Sequence, residues 1–324
     1  MNFSKRDFIQ YSALAGASMA WPAWAQPRPL FDTLHLFVPA APGGGWDGTA
    51  RAVERAAKAA GLVGQMQFEN VGGAGGMVGL PRFVNQRKGQ GNSLMVGGSV
   101  MVGAAIANKS PITMKDVTPI ARLTEEAGVV VVPAGGKIKN WTELLAALRE
   151  NPKAVPVAGG SAGGTDHLIL GLMVKALGRN PREAAYVAFA GGGPANAAIL
   201  GGQVTAGISG YSELEEHIKA GKMIPLATSG RSRIPGVNVP TMTELGLNLV
   251  MANWRGVFAP PGINPSQRDR LVDFVTRVAS SEAWKAELTQ RKWSDAFLAD
   301  GPFEREVGWD IERITVVMKD LGLA

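Results

Sequence analysis

Val38-Pro39-Ala40-Ala41-Pro42-Gly43-Gly44-Gly45-Trp46-Asp47 decides how the rest of this 324-residue chain is read. It is entered from a strand-like run, Leu34-His35-Leu36-Phe37-Val38. It is left on Ala50, Val53, Ala57 and Ala60, whose spacing is the apolar stripe of a helix. Asp47 stands where an N-cap is expected, its carboxylate accepting from first-turn amides. Three glycines before it leave backbone N–H groups bare at a helix N-terminus, where the helix dipole also favours negative charge. Such a run is either an anion-binding turn or a plain tight turn. It is not G-x-G-x-x-G, and it lacks the Gly-Lys-Ser/Thr ending of a phosphate loop. Trp46 is either a wall and N–H donor of a small pocket or a half-buried packing residue.

The same device recurs twice. Ser161-Ala162-Gly163-Gly164-Thr165-Asp166-His167 follows the strand Val155–Ala158 and leads into a helix marked by Leu168, Leu172 and Ala176. Ser161 and Thr165 offer hydroxyls, and Thr165 is a competent N-cap. Asp166 and His167 are no acid/base pair, because adjacent helical residues do not face each other; His167 is a structural residue or a ligand donor. The third turn, Ala190-Gly191-Gly192-Gly193-Pro194-Ala195-Asn196, follows the strand Tyr186–Phe189, with Pro194 suited to the first helical position. Three such turns in two apparent units predict a cleft lined by helix N-termini, at the carboxyl ends of strands where open α/β sheets bind ligands.

Strands and helices alternate along the chain, as in an α/β fold. Further strands are expected at Gln65–Asn70, Leu94–Gly97, Ile120–Leu123, Val129–Val132, Val204–Ser209 and Pro225–Ser229, with Asn140 capping a helix through Leu148. Two helices close the chain, one carrying Leu271, Phe274, Val275 and Val278, the other Phe303, Val307, Ile311, Ile314, Met318 and Leu321. The extended runs Val129–Pro133 and Asn253–Ala259 bracket the second unit, and they are the natural crossovers if the tail returns to the first. Such crossings make a hinge.

The composition sets limits. Hydrophobic residues at 46% and charged residues at 19% describe a globular core, long enough for two domains. The absence of cysteine excludes a disulfide framework and thiol chemistry, and the three histidines have no zinc-site spacing. Lys5 and Arg6, the apolar stretch Phe8–Trp21 and Ala23-Trp24-Ala25 read as an export signal ending at residue 25, of twin-arginine or general secretory type, the alternative being an ordinary amphipathic N-terminal helix. Removal of that signal lowers the formal charge of +6 by one. The remaining positive charge is scattered, which argues against nucleic acid as a partner.

The glycine turns also carry a family resemblance. Val38–Asp47, Asn70–Gly79 (NVGGAGGMVG), Val157–Leu168 (VAGGSAGGTDHL), Gly192–Val204 (GGPANAAILGGQV), Val239–Gly246 (VPTMTELG) and Gly256–Gly262 (GVFAPPG) resemble, in order, the Bug (Bordetella uptake gene) family of tripartite tricarboxylate transporter receptors. The Gly-Gly-Gly-Trp-Asp form resembles its tricarboxylate branch. Where Asn70 is followed by Val71-Gly72, many relatives have Arg-Pro, which puts the shape of that turn in doubt.

The resemblance implies a two-lobed, type II periplasmic-binding-protein fold hinged by two crossovers, a Venus flytrap. Lobe one would comprise residues 26–132 and 256–324, and lobe two residues 133–255. It implies a monomeric periplasmic receptor, without catalytic residues, metal or cofactor. That receptor would deliver a tricarboxylate such as citrate, or a dicarboxylate, to the membrane permease subunits of its transporter. The ligand residues it points to are Gly44, Gly45, Trp46 and Asp47 in lobe one and Ser161, Gly163, Gly164, Thr165 and His167 in lobe two, with Ser99, Phe189 and Gly192 beside them. An ionised Asp47 would repel a carboxylate, so capping is its expected task. Whether Arg51, Arg122 or Arg255 reaches the ligand stays open. The alternatives are a Rossmann-like nucleotide- or phosphate-binding enzyme, and a carboxylate receptor serving a sensor without its own permease.

Overall fold

In the computed structural model, which describes residues 28–324, the strand-like run before the first glycine turn is β1 (Phe31–Val38) and the turn leads into α1 (Gly45–Ala59). The export signal expected at residues 1–25 lies outside the described residues. The first unit continues with β2 (Val63–Asn70), a short 3-10 turn at Ala74–Gly76, α2 (Gly79–Gln86), β3 (Ser93–Gly98) and α3 (Ser99–Ala107). After β4 (Thr118–Pro133) and α4 (Trp141–Glu150) the second unit runs through β5 (Val157–Gly159), α5 (Thr165–Ala176), β6 (Tyr186–Ala188), α6 (Gly192–Leu200), β7 (Ala206–Gly210), α7 (Tyr211–Lys219) and β8 (Met223–Thr228). β9 (Ala252–Ala259) leads back to α8 (Pro265–Ser280), α9 (Glu282–Arg291), β10 (Ser294–Ala299) and α10 (Asp300–Asp320).

The strands lie in the order β2-β1-β3-β9-β4-β7-β5-β6, with β8 and β10 also on β4. The two halves repeat one plan. In the first, β1 sits between β2 and β3, all parallel, and β3 takes the antiparallel strand β9. In the second, β5 sits between β6 and β7, all parallel, and β7 takes the antiparallel strand β4. The two-lobed α/β fold with two crossover strands expected from the sequence is the one found.

β4 explains how the halves are joined. Its Thr118–Ala127 segment pairs with β9, and from Gly128 onward its partners are β7 and β8. Ile120–Leu123 and Val129–Val132 are therefore one strand of 16 residues, not two. The polar residues between them, Thr124-Glu125-Glu126, keep their ladder bonds because neighbours pair on both sides. At the change of partner, Ser229 Oγ accepts from the Gly128 N–H (2.9 Å) and donates to the Met251 carbonyl (2.6 Å), stitching three segments at the hinge.

The packing follows the pleat. Val130 and Val132 enter one core with Leu144, Leu148, Ile169 and Met173, while Val129 and Val131 enter another with Ala195, Ile199 and Leu214. Both faces of the strand are covered, so four consecutive valines are all buried. The third and largest core draws on β1, α1, β3, β9 and the tail, including Phe37, Phe83, Phe258, Phe274 and Phe303. The tail has two elements beyond the two expected helices: α9, and β10, which pairs antiparallel with β4.

Candidate functional site

Most helix starts are of two kinds; α2 and α10, which follow Val78 and Ala299, belong to neither. Helices α4, α8 and α9 are capped by the side chains of Asn140, Asn264 and Ser281. The five helices that follow β1, β3, β5, β6 and β7 begin after Gly44, Gly98, Gly164, Gly191 and Gly210, and none is capped by the residue before it; at α7 the Glu126 carboxylate takes the Ser212 N–H instead (2.8 Å). The first-turn amides of the other four are left for another acceptor.

Two of these turns share one geometry. Gly43 has φ +87° and Gly44 is extended; Gly163 has φ +75° and Gly164 is extended. The left-handed residue lets the chain double back. Its N–H then meets the third residue of the helix: Gly43 N–H donates to Asp47 Oδ2 (3.1 Å), and Gly163 N–H to His167 Nδ1 (3.1 Å). This corrects the expected caps. Asp47 and Thr165 do not occupy the cap position, which Gly44 and Gly164 hold; Asp47 acts from inside the first turn, and Thr165 is the first helical residue. Likewise α6 starts at Gly192, two residues before Pro194.

Asp47 is engaged on both oxygens, since Oδ1 accepts from Asn70 Nδ2 (3.0 Å) and lies 3.6 Å from Arg51 Nε. His167 stacks on Tyr186, with ring centroids 4.2 Å apart, and burial pushes its pKa down to about 4, so it is the neutral acceptor its turn requires. His167 also lines a cavity of about 140 Å³ with Arg182 and the C-terminal Leu321–Leu323. Asp47 and His167 are thus equivalent braces of the two turns.

The other expected site residues meet across the lobes. Ser99 Oγ lies 3.4 Å from Thr165 Oγ1 and donates to Asn253 Oδ1 (2.9 Å). A Cβ on Gly75 would lie 3.3 Å from Ser161 Cβ, and one on Gly76 would lie 3.1 Å from the buried Trp46 ring. A Cβ on Gly164 would touch Val100 of α3 at 3.3 Å. Phe189 is half-buried against the second lobe, its N–H donating to the Gly159 carbonyl (3.0 Å).

Gly45 and Gly192 both face Glu213, which the sequence did not single out. Glu213 Oε1 would be 3.1 Å from a Cβ on Gly45, and a Cβ on Gly192 would collide with the Glu213 carboxylate. Glu213 Oε2 accepts from Ser209 Oγ (2.6 Å). Beside it, Arg255 Nη2 pairs with Glu126 Oε2 at 2.6 Å, with the side chains 3% and 1% exposed. Glu126 Oε1 accepts from the N–H (2.8 Å) and Oγ (2.6 Å) of Ser212. Of the three arginines left open, Arg51 lies over the Phe68 ring and Arg122 donates to the Ala296 carbonyl, so Arg255 is the one beside Gly45. Glu213 had a signal: Ser209-Gly210-Tyr211-Ser212-Glu213 is again a strand end, a glycine and a helix start.

Asp166 feels this cluster. Burial raises its pKa to about 7, the charges of Glu213 and Glu126 push the same way, and the Gly160 N–H (2.9 Å) and Arg255 oppose them. Because the folded value lies above the usual 3.8, the linked stability is present below that value and is lost as pH rises through about 7. Asp166→Asn keeps an acceptor for Gly160 and removes the charge. The variant is expected to melt above the natural protein at pH 8 and together with it near pH 4. A difference independent of pH would show that Asp166 does not titrate in this window.

Residues 50–309 match the family described as the tripartite tricarboxylate transporter family receptor. The chain is similar to Protein BugT of Bordetella pertussis, at 30% identity over 274 residues, 82% of this chain and 81% of that one. A solved structure described as a periplasmic transporter superposes with a TM-score of 0.79 at 26% identity, covering 93% of this chain and 98% of that one. MatC from Rhodopseudomonas palustris, solved with bound malate, superposes with a TM-score of 0.72 at 25% identity, covering 91% and 97%.

Proposed function

The chain belongs to the tripartite tricarboxylate transporter receptor family, a family of receptors and not of enzymes, and from that premise we propose that it captures a small organic carboxylate between its lobes and presents it to the permease of such a transporter. The observation that carries this reading is the set of uncapped, glycine-led helix N-termini contributed by both lobes. Backbone amides at α1, α3, α5 and α6 offer fixed donors to a carboxylate without requiring a side chain of either sign. Gly44, Gly45, Trp46 and Ser99 would line the first wall, and Ser161, Gly163, Gly164, Thr165 and Gly192 the second, with Asp47 and His167 holding the turns and Phe189 flanking the third.

Residues 26–132 with 256–324 form lobe one in this reading, and 133–255 form lobe two. A ligand that touches both walls only when they meet favours the closed state by that difference in contact alone. The protein would act as a monomer in the periplasm, exported by residues 1–25. Among the described residues no helix is long and apolar enough to cross a membrane. Citrate and related tri- or dicarboxylates lead the ligand class, and the malate held by MatC supports a dicarboxylate of that size.

A thermal-shift series with citrate, malate, succinate and adipate tests the reading. At a hundred times its Kd, a ligand that binds only the folded protein adds about 2.7 kcal/mol. At least one of the acids is expected to raise the melting temperature in a saturable way. No rise with any of them, alongside a folded protein, would refute carboxylate capture.

A further inference from the structure

Arg255 is a buried cation with half of its hydrogen-bonding fork unused. Nη2 is committed to Glu126, while Nη1 is buried and has no partner among the described residues. Leaving a buried charged donor unmade is costly, so native structures rarely do it without a reason. Glu126 cannot close the fork. Its second oxygen already accepts twice from Ser212, so it meets the guanidinium through one atom rather than side by side. Glu213 does not substitute, since among the described residues the ion pair with Glu126 is the only one that Arg255 makes.

The position of the group is equally unusual. A Cβ on Gly45 would lie 2.8 Å from Nη2 and 3.1 Å from the guanidinium carbon. Gly45 is the first residue of α1, where the helix dipole is positive and the cap is a bare glycine. The helix end repels that cation, and the Glu213 carboxylate, with Oε1 3.1 Å from the same Cβ, offsets the repulsion without pairing with Arg255. The surroundings hold the guanidinium in place. Its carbon lies 5.1 Å from the Trp293 ring centroid, and Trp293 Nε1 donates to Ser212 Oγ (3.3 Å), the hydroxyl that also engages Glu126. Glu126, Ser212 and Trp293 thus form one connected frame around Arg255.

We propose that Arg255 is the ion-pair partner of the ligand: Nη1 donates to the carboxylate that the α1 amides also hold, and Glu126 orients the guanidinium. The inference rests on the receptor reading and adds to it the residue that selects an ionised carboxylate over a neutral amide or ester. Since β9 carries Arg255 and pairs with both β3 and β4, the contact also reports ligand arrival directly to a crossover strand.

Calorimetric titration of the full-length mature protein with citrate, malate, succinate and adipate tests it. The natural protein binding none of them would remove the receptor reading itself. With the acid that binds, Arg255→Gln is expected to lose about a hundred-fold in affinity, and Arg255→Lys to lose less, because an ammonium keeps the charge without the fork. The double variant Glu126→Gln/Arg255→Gln removes both charges of the buried pair together and so guards against misfolding. It is expected to show the same loss with an unchanged near-ultraviolet circular dichroism spectrum. A folded double variant that binds within three-fold of the natural protein would overturn the proposal while leaving carboxylate capture intact.

Discussion

Gly103→Ala is expected to weaken carboxylate binding by about a hundred-fold or more without unfolding the protein. Gly103 lies in α3, whose Met101, Val102, Ala104 and Ala105 pack in the first core. A Cβ at this position would collide with the carbonyl oxygen of Gly163, in the glycine turn of the other lobe. The contact is reciprocal, since a Cβ on Gly163 would lie 2.9 Å from the Gly103 carbonyl oxygen and 2.8 Å from Ala107 Cβ. Both partners are backbone, so no side chain can swing aside. With the lobes parted, the same methyl would keep only its ordinary contact with Ile314 (3.8 Å) and would improve helix propensity by about 1 kcal/mol. The substitution therefore penalises closure alone, and affinity falls with the fraction of molecules able to close. Titration with the binding acid, together with solution scattering, should show weaker binding and a larger radius of gyration at equal ligand. Unchanged affinity would mean that the lobes do not part at this contact. A fall in the melting temperature of the ligand-free protein would instead identify Gly103 as ordinary core packing.

Phe303→Ala is expected to cost about 3–5 kcal/mol of stability, measured by urea unfolding. Phe303 is fully buried and sits edge-on to Trp254 (5.6 Å, 90°) and 5.5 Å from Phe258, both on the crossover strand β9. The same helix, α10, supplies Asp310, which accepts from Trp254 Nε1 and pairs with Arg313. The tail is thus fastened to the strand that returns the chain to the first lobe, and removing the ring leaves a cavity where three aromatic residues meet. Val316→Ala, on the solvent side of the same helix and 60% exposed, serves as the control and should change stability by less than about 0.5 kcal/mol. A loss below 1 kcal/mol for Phe303→Ala would show that the tail helix contributes little to the lobe it covers.

Much of this molecule is written locally. The alternating run before Val38 and the helical stripe after Asp47 identify β1 and α1, and the same reading locates β5, α5, β6 and α6, because side-chain periodicity and left-handed glycine turns are properties of a few neighbouring residues. Asn140 caps α4 as expected, its Oδ1 accepting from the Glu143 N–H at 2.9 Å. The boundaries misread were those where distant partners intervene. β4 runs unbroken through Thr124-Glu125-Glu126 because β9 and β10 flank it, and Ser294–Ala299 becomes β10 because β4 is there to pair with it.

The site divides along the same line. By itself the sequence determined the α/β alternation and the glycine turns that leave helix amides bare; each follows from backbone conformation over a handful of residues. Only the tertiary structure decided that Asp47 and His167 brace those turns from within, that the carboxylates Glu126, Asp166 and Glu213 gather near Arg255, and that Arg255 stands beside Gly45 with one arm unused. Positions 126, 213 and 255 carry no common signal in the chain. Crossing strands bring them together, and the charge balance and burial that set their behaviour arise only once β4, β7 and β9 lie side by side.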